Sequence, residues 1–99
     1  MKGKYNPWKY RIGRAFEYRT KKHFEKLGYW VMRSSGSHGK ADLVAANSER
    51  WLLIQCTTNK DMKTEKELLE LKKLAAQLPS CEALLAFKTK DNKIGIRNL

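Results

Sequence analysis

Ala41-Asp42-Leu43-Val44-Ala45-Ala46, then Asn47-Ser48-Glu49-Arg50, then Trp51-Leu52-Leu53-Ile54-Gln55-Cys56-Thr57 is the stretch that decides the fold. Two short apolar runs on either side of four turn-forming residues read as an antiparallel strand pair. Side chains alternate along a strand, so Trp51, Leu53, Gln55 and Thr57 share one face of the second run, and Leu52, Ile54 and Cys56 share the other. A polar pair therefore ends one face of a strand that is otherwise apolar. Polar groups in such a place need partners or a purpose.

Upstream, Tyr29 to Ser34 is a third strand-like run, separated from Ala41 by the Gly-rich loop Ser35-Gly36-Ser37-His38-Gly39-Lys40. The three runs predict a meander. Before them, Asn6-Pro7 offers a cap and a first-turn proline, and Ile12, Ala15, Phe16, His23, Phe24 and Leu27 recur at helical spacing until Gly28, which predicts a helix over about 7–27. Downstream, Thr64-Glu65-Lys66-Glu67 is a capping-box pattern ahead of Leu68, Leu71, Leu74, Ala75 and Leu78, with Pro79 beyond, which predicts a second helix over about 64–78. Glu82–Lys88 and Lys93–Arg97 read as strands joined by a Lys90-Asp91-Asn92 turn. The order is αβββαββ. This is an α+β protein with a mixed central sheet flanked by helices, expected to form one domain over 1–99 with residues 1–4 as a mobile basic arm.

The 99 residues carry 21 Lys+Arg against 10 Asp+Glu, a formal charge of +11. Residues 1–40 hold nearly all of it, at +9. A polyanionic partner follows, with nucleic acid first in line. Cys56 and Cys81 sit in apolar runs and are expected as small buried side chains, with no spacing for zinc or a disulfide framework. No apolar run approaches the roughly 18 residues of a membrane span, and no broad apolar face on the basic first helix offers membrane-surface insertion. A cytoplasmic, intracellular setting is expected, host or viral.

Two acids stand alone among these cations. Glu17 is the sole acid of the first twenty-four residues, and lies one helical turn past Gly13, where a missing side chain leaves open space. Asp42 is the sole acid between Glu25 and Glu49. If the strands pair, both carboxylates and the Gln55 amide oxygen converge. Hard oxygen donors of this kind suit Mg²⁺, with Mn²⁺ able to substitute, and such an ion polarises a phosphodiester and lowers the pKa of an attacking water.

The runs Gly13-Arg14-Ala15-Phe16-Glu17, Leu27 to Ser34, Gly36-Ser37, Ala41 to Ala45 and Trp51 to Cys56 together resemble the archaeal-type Holliday junction resolvases of the PD-(D/E)-x-K nuclease superfamily. The resemblance covers about residues 12–88. It implies a restriction-endonuclease-like fold and a divalent-metal-dependent endonuclease that cuts four-way DNA junctions as a symmetric homodimer. Glu17 and Asp42 match the family's metal-holding acids, Gln55 falls at the Glu/Gln position of the E-x-K strand, and Arg33 and Ser37 match a loop lying near the scissile phosphate. The lysine of that strand is expected at position 57, where this chain has Thr57. A hydroxyl supplies no cation beside the nucleophile, and losing one such electrostatic contact commonly costs about 10²- to 10³-fold in rate.

Three accounts of Thr57 stand side by side: Lys60 or Lys40 substitutes, the residue marks a trapped inactive form, or the chain binds junctions without cutting. DNA contacts are expected from Arg14, Lys21, Lys22, Arg33, Lys40 and Lys60. Against the enzyme stand a catalytically silent junction-binding or architectural protein of the same fold, and a small RNA- or DNA-binding regulator whose acids are structural. Trp8, Tyr5 and Tyr10, interleaved with Lys4, Lys9 and Arg11, fit stacking on unpaired bases and fit a hydrophobic staple equally. His23 is expected at the core edge, and His38 receives no role. The apolar stripe of helix two, with the last strands, is the expected core or dimer face.

Overall fold

The computed structural model describes residues 7–34, 41–58 and 65–99. Its elements are α1 (Pro7–Lys26), β1 (Trp30–Arg33), β2 (Leu43–Ala46), β3 (Trp51–Thr57), α2 (Glu65–Ala76), β4 (Cys81–Lys88) and β5 (Ile94–Asn98), in the αβββαββ order read from sequence. The five strands lie in chain order across one mixed sheet. β1, β2 and β3 form an antiparallel meander, β3 and β4 run parallel with α2 as the crossover, and β5 returns antiparallel.

The turns are local chemistry. Gly28 takes φ +96°, and the Tyr29 N–H bonds the Phe24 carbonyl, which ends α1 with a left-handed cap. The Asn47 side-chain oxygen accepts from the N–H groups of Glu49 and Arg50, and so closes the β2–β3 turn. Asn92 supplies the left-handed residue of the β4–β5 hairpin, with φ 62°.

The helices lie on opposite faces of the sheet. Phe16 and Phe24 of α1 pack with Val31, Leu43, Ala45, Leu52, Ile54 and Cys56, while Leu71 and Ala75 of α2 pack with Leu53 and Ala83. Alternation along β3 sets Leu52, Ile54 and Cys56 against α1 and Leu53 against α2, as its period of two requires. The core cysteine Cys56 is buried as expected, and neither Cys56 nor Cys81 is in a disulfide.

Several expectations need correction. α1 buries Phe16, Thr20 and Phe24, whereas Ile12, Ala15 and Leu27 are exposed. Thr20 was hidden from hydropathy reasoning because its hydroxyl donates to the Phe16 carbonyl at 2.9 Å, so a polar side chain enters the core already satisfied. Leu27 lies past the last helical residue, and Leu78 lies past the end of α2 and is likewise exposed. Cys81 is half-buried, because it opens β4 at the sheet margin; burial and neighbouring Glu82 push its thiol pKa up. The proposed caps at Asn6 and Thr64, the arm over 1–4, and Tyr5 lie outside the described residues.

Candidate active site

β2 and β3 build one half of the site. Leu43 pairs with Ile54, so one step further along the antiparallel ladder sets Asp42 opposite Gln55. Asp42 is fixed three ways: its N–H donates to the Ile54 carbonyl at 2.8 Å, its carbonyl accepts from the Ser34 N–H at 2.9 Å, and its Oδ2 accepts from the Cys56 N–H at 2.8 Å. The carboxylate thus belongs to the sheet, not to a loose loop. A backbone N–H on a carboxylate is a charge-assisted contact that holds the anion in one orientation.

Gln55 and Thr57 are 8% and 7% exposed, so the polar pair that stood out in sequence is indeed drawn into the body of the protein. Both residues keep contacts of their own. The Gln55 side-chain oxygen is nonetheless a buried acceptor to which no donor among the described residues points. Such an atom is costly unless something electropositive meets it.

The other half comes from α1. Glu17 Oε1 accepts from Arg33 Nε at 2.8 Å, with both side chains about four-fifths buried. The Arg33 guanidinium also lies over the Tyr18 ring, 5.2 Å from its centroid. Arg33 is the last residue of β1, and Ser34, next to it, is the residue that donates to Asp42. Glu17 is thus tied to Arg33 from the α1 side, and Asp42 is tied through its backbone to Ser34, the next residue along the same strand end. A side chain at Gly13, one turn before Glu17, would meet no described atom within 4 Å, so the open space expected there exists.

Among the described residues no group of three or more His, Cys, Asp and Glu side chains gathers. Asp42 and Gln55 stand opposite one another and supply a carboxylate and an amide oxygen, hard donors of the kind Mg²⁺ or Mn²⁺ takes together with its own waters. The residues present fit a divalent ion of that class, and the buried Gln55 oxygen is the observation in favour.

Lys21 pairs with Glu25 at 2.7 Å on the outside of α1, while Arg14 and Lys22 are exposed on the same helix. Ser37, Lys40, Lys60 and His38 lie outside the described residues. His23 packs edge-on against Phe24 at the core margin, as expected. The Arg33–Glu17 pair was not legible beforehand: sixteen residues separate its members. The one available signal was that a lone acid in a cationic segment must find some cation.

Three comparisons bear on this geometry. Residues 8–98 match the family model of the archaeal Holliday junction resolvase, Hjc. A crossover junction endodeoxyribonuclease Hjc of Methanocaldococcus jannaschii is 42% identical over 55 residues, a match spanning 56% of this chain and 41% of that relative. The structure of Archaeoglobus fulgidus Hjc, a Holliday junction resolvase, superposes with a TM-score of 0.73 at 23% identity, over 88% of this chain and 72% of the other, and so shares the fold. These relatives are archaeal, and a viral source finds no support in them. With the family model matching nearly end to end, the chain belongs to the archaeal Holliday junction resolvase (Hjc) family.

Proposed function

We propose that this protein is a divalent-metal-dependent endonuclease of branched DNA, most specifically four-way junctions, with its centre at Glu17, Asp42 and Gln55. The observation that carries the reading is Asp42, locked on the Cys56 N–H and set opposite the buried Gln55 oxygen in a chain of this family. Family membership supports cutting over silent binding or a regulator with structural acids.

Glu17, Asp42 and Gln55 would hold the ion, with Mg²⁺ the expected occupant and Mn²⁺ a substitute. When bound, it supplies a polarised phosphodiester and a more acidic attacking water. Arg33 fixes the Glu17 carboxylate and sets a cation beside it, which partly offsets the cation absent at Thr57. Arg14, Lys21, Lys22, Lys40 and Lys60 would hold the backbone, so affinity is set by shape and charge and falls steeply with salt. Hydrolysis breaks one phosphorus–oxygen bond by water and leaves a phosphate on one side of the nick and a hydroxyl on the other. Residues 1–99 act as one domain, and the place of action is intracellular, where DNA is; no described helix is long and apolar enough to cross a membrane.

The working form is a homodimer. α2 packs over β3 and β4, and the same sheet face beyond it is left with Trp30 and Met32 of β1 and Trp51 at the start of β3 roughly half exposed. Trp30 and Trp51 both stand opposite Ala46 in the ladder, so two indoles flank a small residue. Their exposed area is on the order of 300 Å², enough for the apolar centre of an interface that needs about 800 Å² per partner. These side chains carry no charge, and on a +11 protein an uncharged face is where a second copy approaches with least repulsion. Two-fold pairing would present two centres to the two opposed strands of a junction.

The test is a labelled four-way junction incubated with Mg²⁺ or Mn²⁺ beside a duplex of the same sequence. Paired nicks in the junction, lost in Asp42→Asn while binding persists, are expected. Equal affinity for junction and duplex with no nicks overturns the reading. Sedimentation velocity tests the dimer: Trp30→Ser with Trp51→Ser should give a monomer, and a monomeric wild type refutes it.

A further inference from the structure

We infer that the outward stripe of α1 is a stacking platform for unpaired nucleobases. α1 buries its phenylalanines, Phe16 and Phe24, and turns Trp8 and Tyr18 outward at 72% and 45% exposure. Trp8, Arg11, Ala15, Tyr18 and Lys22 follow helical spacing along a stripe turned away from the Phe16, Thr20 and Phe24 row, and all are exposed. Each outward ring is held by a guanidinium: Arg11 lies 6.0 Å from the Trp8 centroid and Arg33 5.2 Å from that of Tyr18.

The charge around these rings has one sign. α1 carries seven Lys and Arg against Glu17 and Glu25, and both acids are engaged by cations, Arg33 and Lys21. A cationic helix face bearing oriented, exposed aromatics is the combination that binds single-stranded nucleic acid: cations follow the backbone while rings take the bases, whatever their sequence. An acidic protein surface would use the cations and leave the indole in water. Ten residues separate Trp8 from Tyr18, about 15 Å along the axis, which spans four to five nucleotides at roughly 3.4 Å each. Tyr18 adjoins Glu17 and touches Arg33, so the stripe ends at the corner proposed to hold the metal. Resting on the branched-DNA reading, the platform would take bases left unpaired at the branch point and bring the strand beside that corner.

The test needs no metal, no cleavage and no junction. Binding of a fluorescent twelve-nucleotide thymidine strand is followed by anisotropy across a salt series. Trp8→Ala and Tyr18→Ala should each weaken binding about 5- to 150-fold, the range seen for loss of one stacked base, with the slope of log affinity against log salt unchanged. Lys22→Ala should instead flatten that slope. Trp8→Phe and Tyr18→Phe, which keep a ring, should stay within about twofold of wild type. Alanine variants that bind as tightly as wild type, or phenylalanine variants as weak as the alanine ones, overturn the inference. A platform that passes while junction and duplex bind alike refutes the branched-DNA reading and leaves the stacking surface standing.

Discussion

Asp42 has two jobs in this structure, and substitution separates them. Its Oδ2 accepts from the Cys56 N–H at 2.8 Å, and Cys56 lies in the core with 7% exposure. Asp42→Ala removes that acceptor from a buried strand, at a cost of about 1.5–3 kcal/mol for a hydrogen bond to a charged group. At roughly 4–8 °C per kcal/mol in a domain of this size, the melting temperature should drop by about 6–24 °C. Asp42→Asn keeps an oxygen in the same place and loses only the charge assistance, so about 0.5–1.5 kcal/mol is expected. Both variants remove the anion and should lose Mn²⁺ binding equally. The assay pairs urea unfolding with calorimetric titration of Mn²⁺. An asparagine variant as unstable as the alanine one would refute the hydrogen-bond account. Either variant binding Mn²⁺ like wild type would remove Asp42 from the metal site.

Thr57→Lys should raise the rate of junction cutting about 10²- to 10³-fold at saturating Mg²⁺, measured by single-turnover nicking, while lowering stability because the new ammonium enters a 7% exposed position. Gly13→Ala should stabilise by about 0.5–1 kcal/mol in urea, since its methyl meets no described atom within 4 Å and glycine is a poor residue for a helix interior. Gly95→Ala should do the opposite: its methyl would fall 2.5 Å from the Phe87 ring across the β4–β5 ladder, and displacing that ring costs about 0.5–1.5 kcal/mol, read from the same unfolding curves. Cys81, whose thiol pKa is raised by burial and Glu82, should be alkylated more slowly at pH 7.5 than a free cysteine, with the rate rising as alkali forms the thiolate.

The element order was legible because each boundary is written locally: Gly28 ends α1, Asn47 folds the β2–β3 turn, and Asn92 takes the left-handed position of the last hairpin. What failed was the choice of buried face on α1. Apolar spacing favoured Ile12 and Leu27, but burial followed the geometry of the sheet, which selected Thr20. For the site, the Asp42–Gln55 juxtaposition followed from strand pairing alone. The clamp from Asp42 to Cys56 needed coordinates, since a side chain reaching a backbone N–H fourteen residues away leaves no mark on composition. Arg33 was expected to face DNA, and its tie to Glu17 depends on how α1 crosses β1, a tertiary fact.

Because strand neighbours in space are also neighbours in sequence, the sheet is assembled in the order in which a ribosome would deliver it. The meander can close first, yet its last strand, the mostly apolar Trp51–Thr57, then waits as an open edge until residues beyond 80 emerge to pair with it. During that interval the nascent chain presents an aggregation-prone ribbon. Slowing translation across the α2 codons should lengthen the exposure and lower soluble yield, whereas slowing it after residue 88 should not.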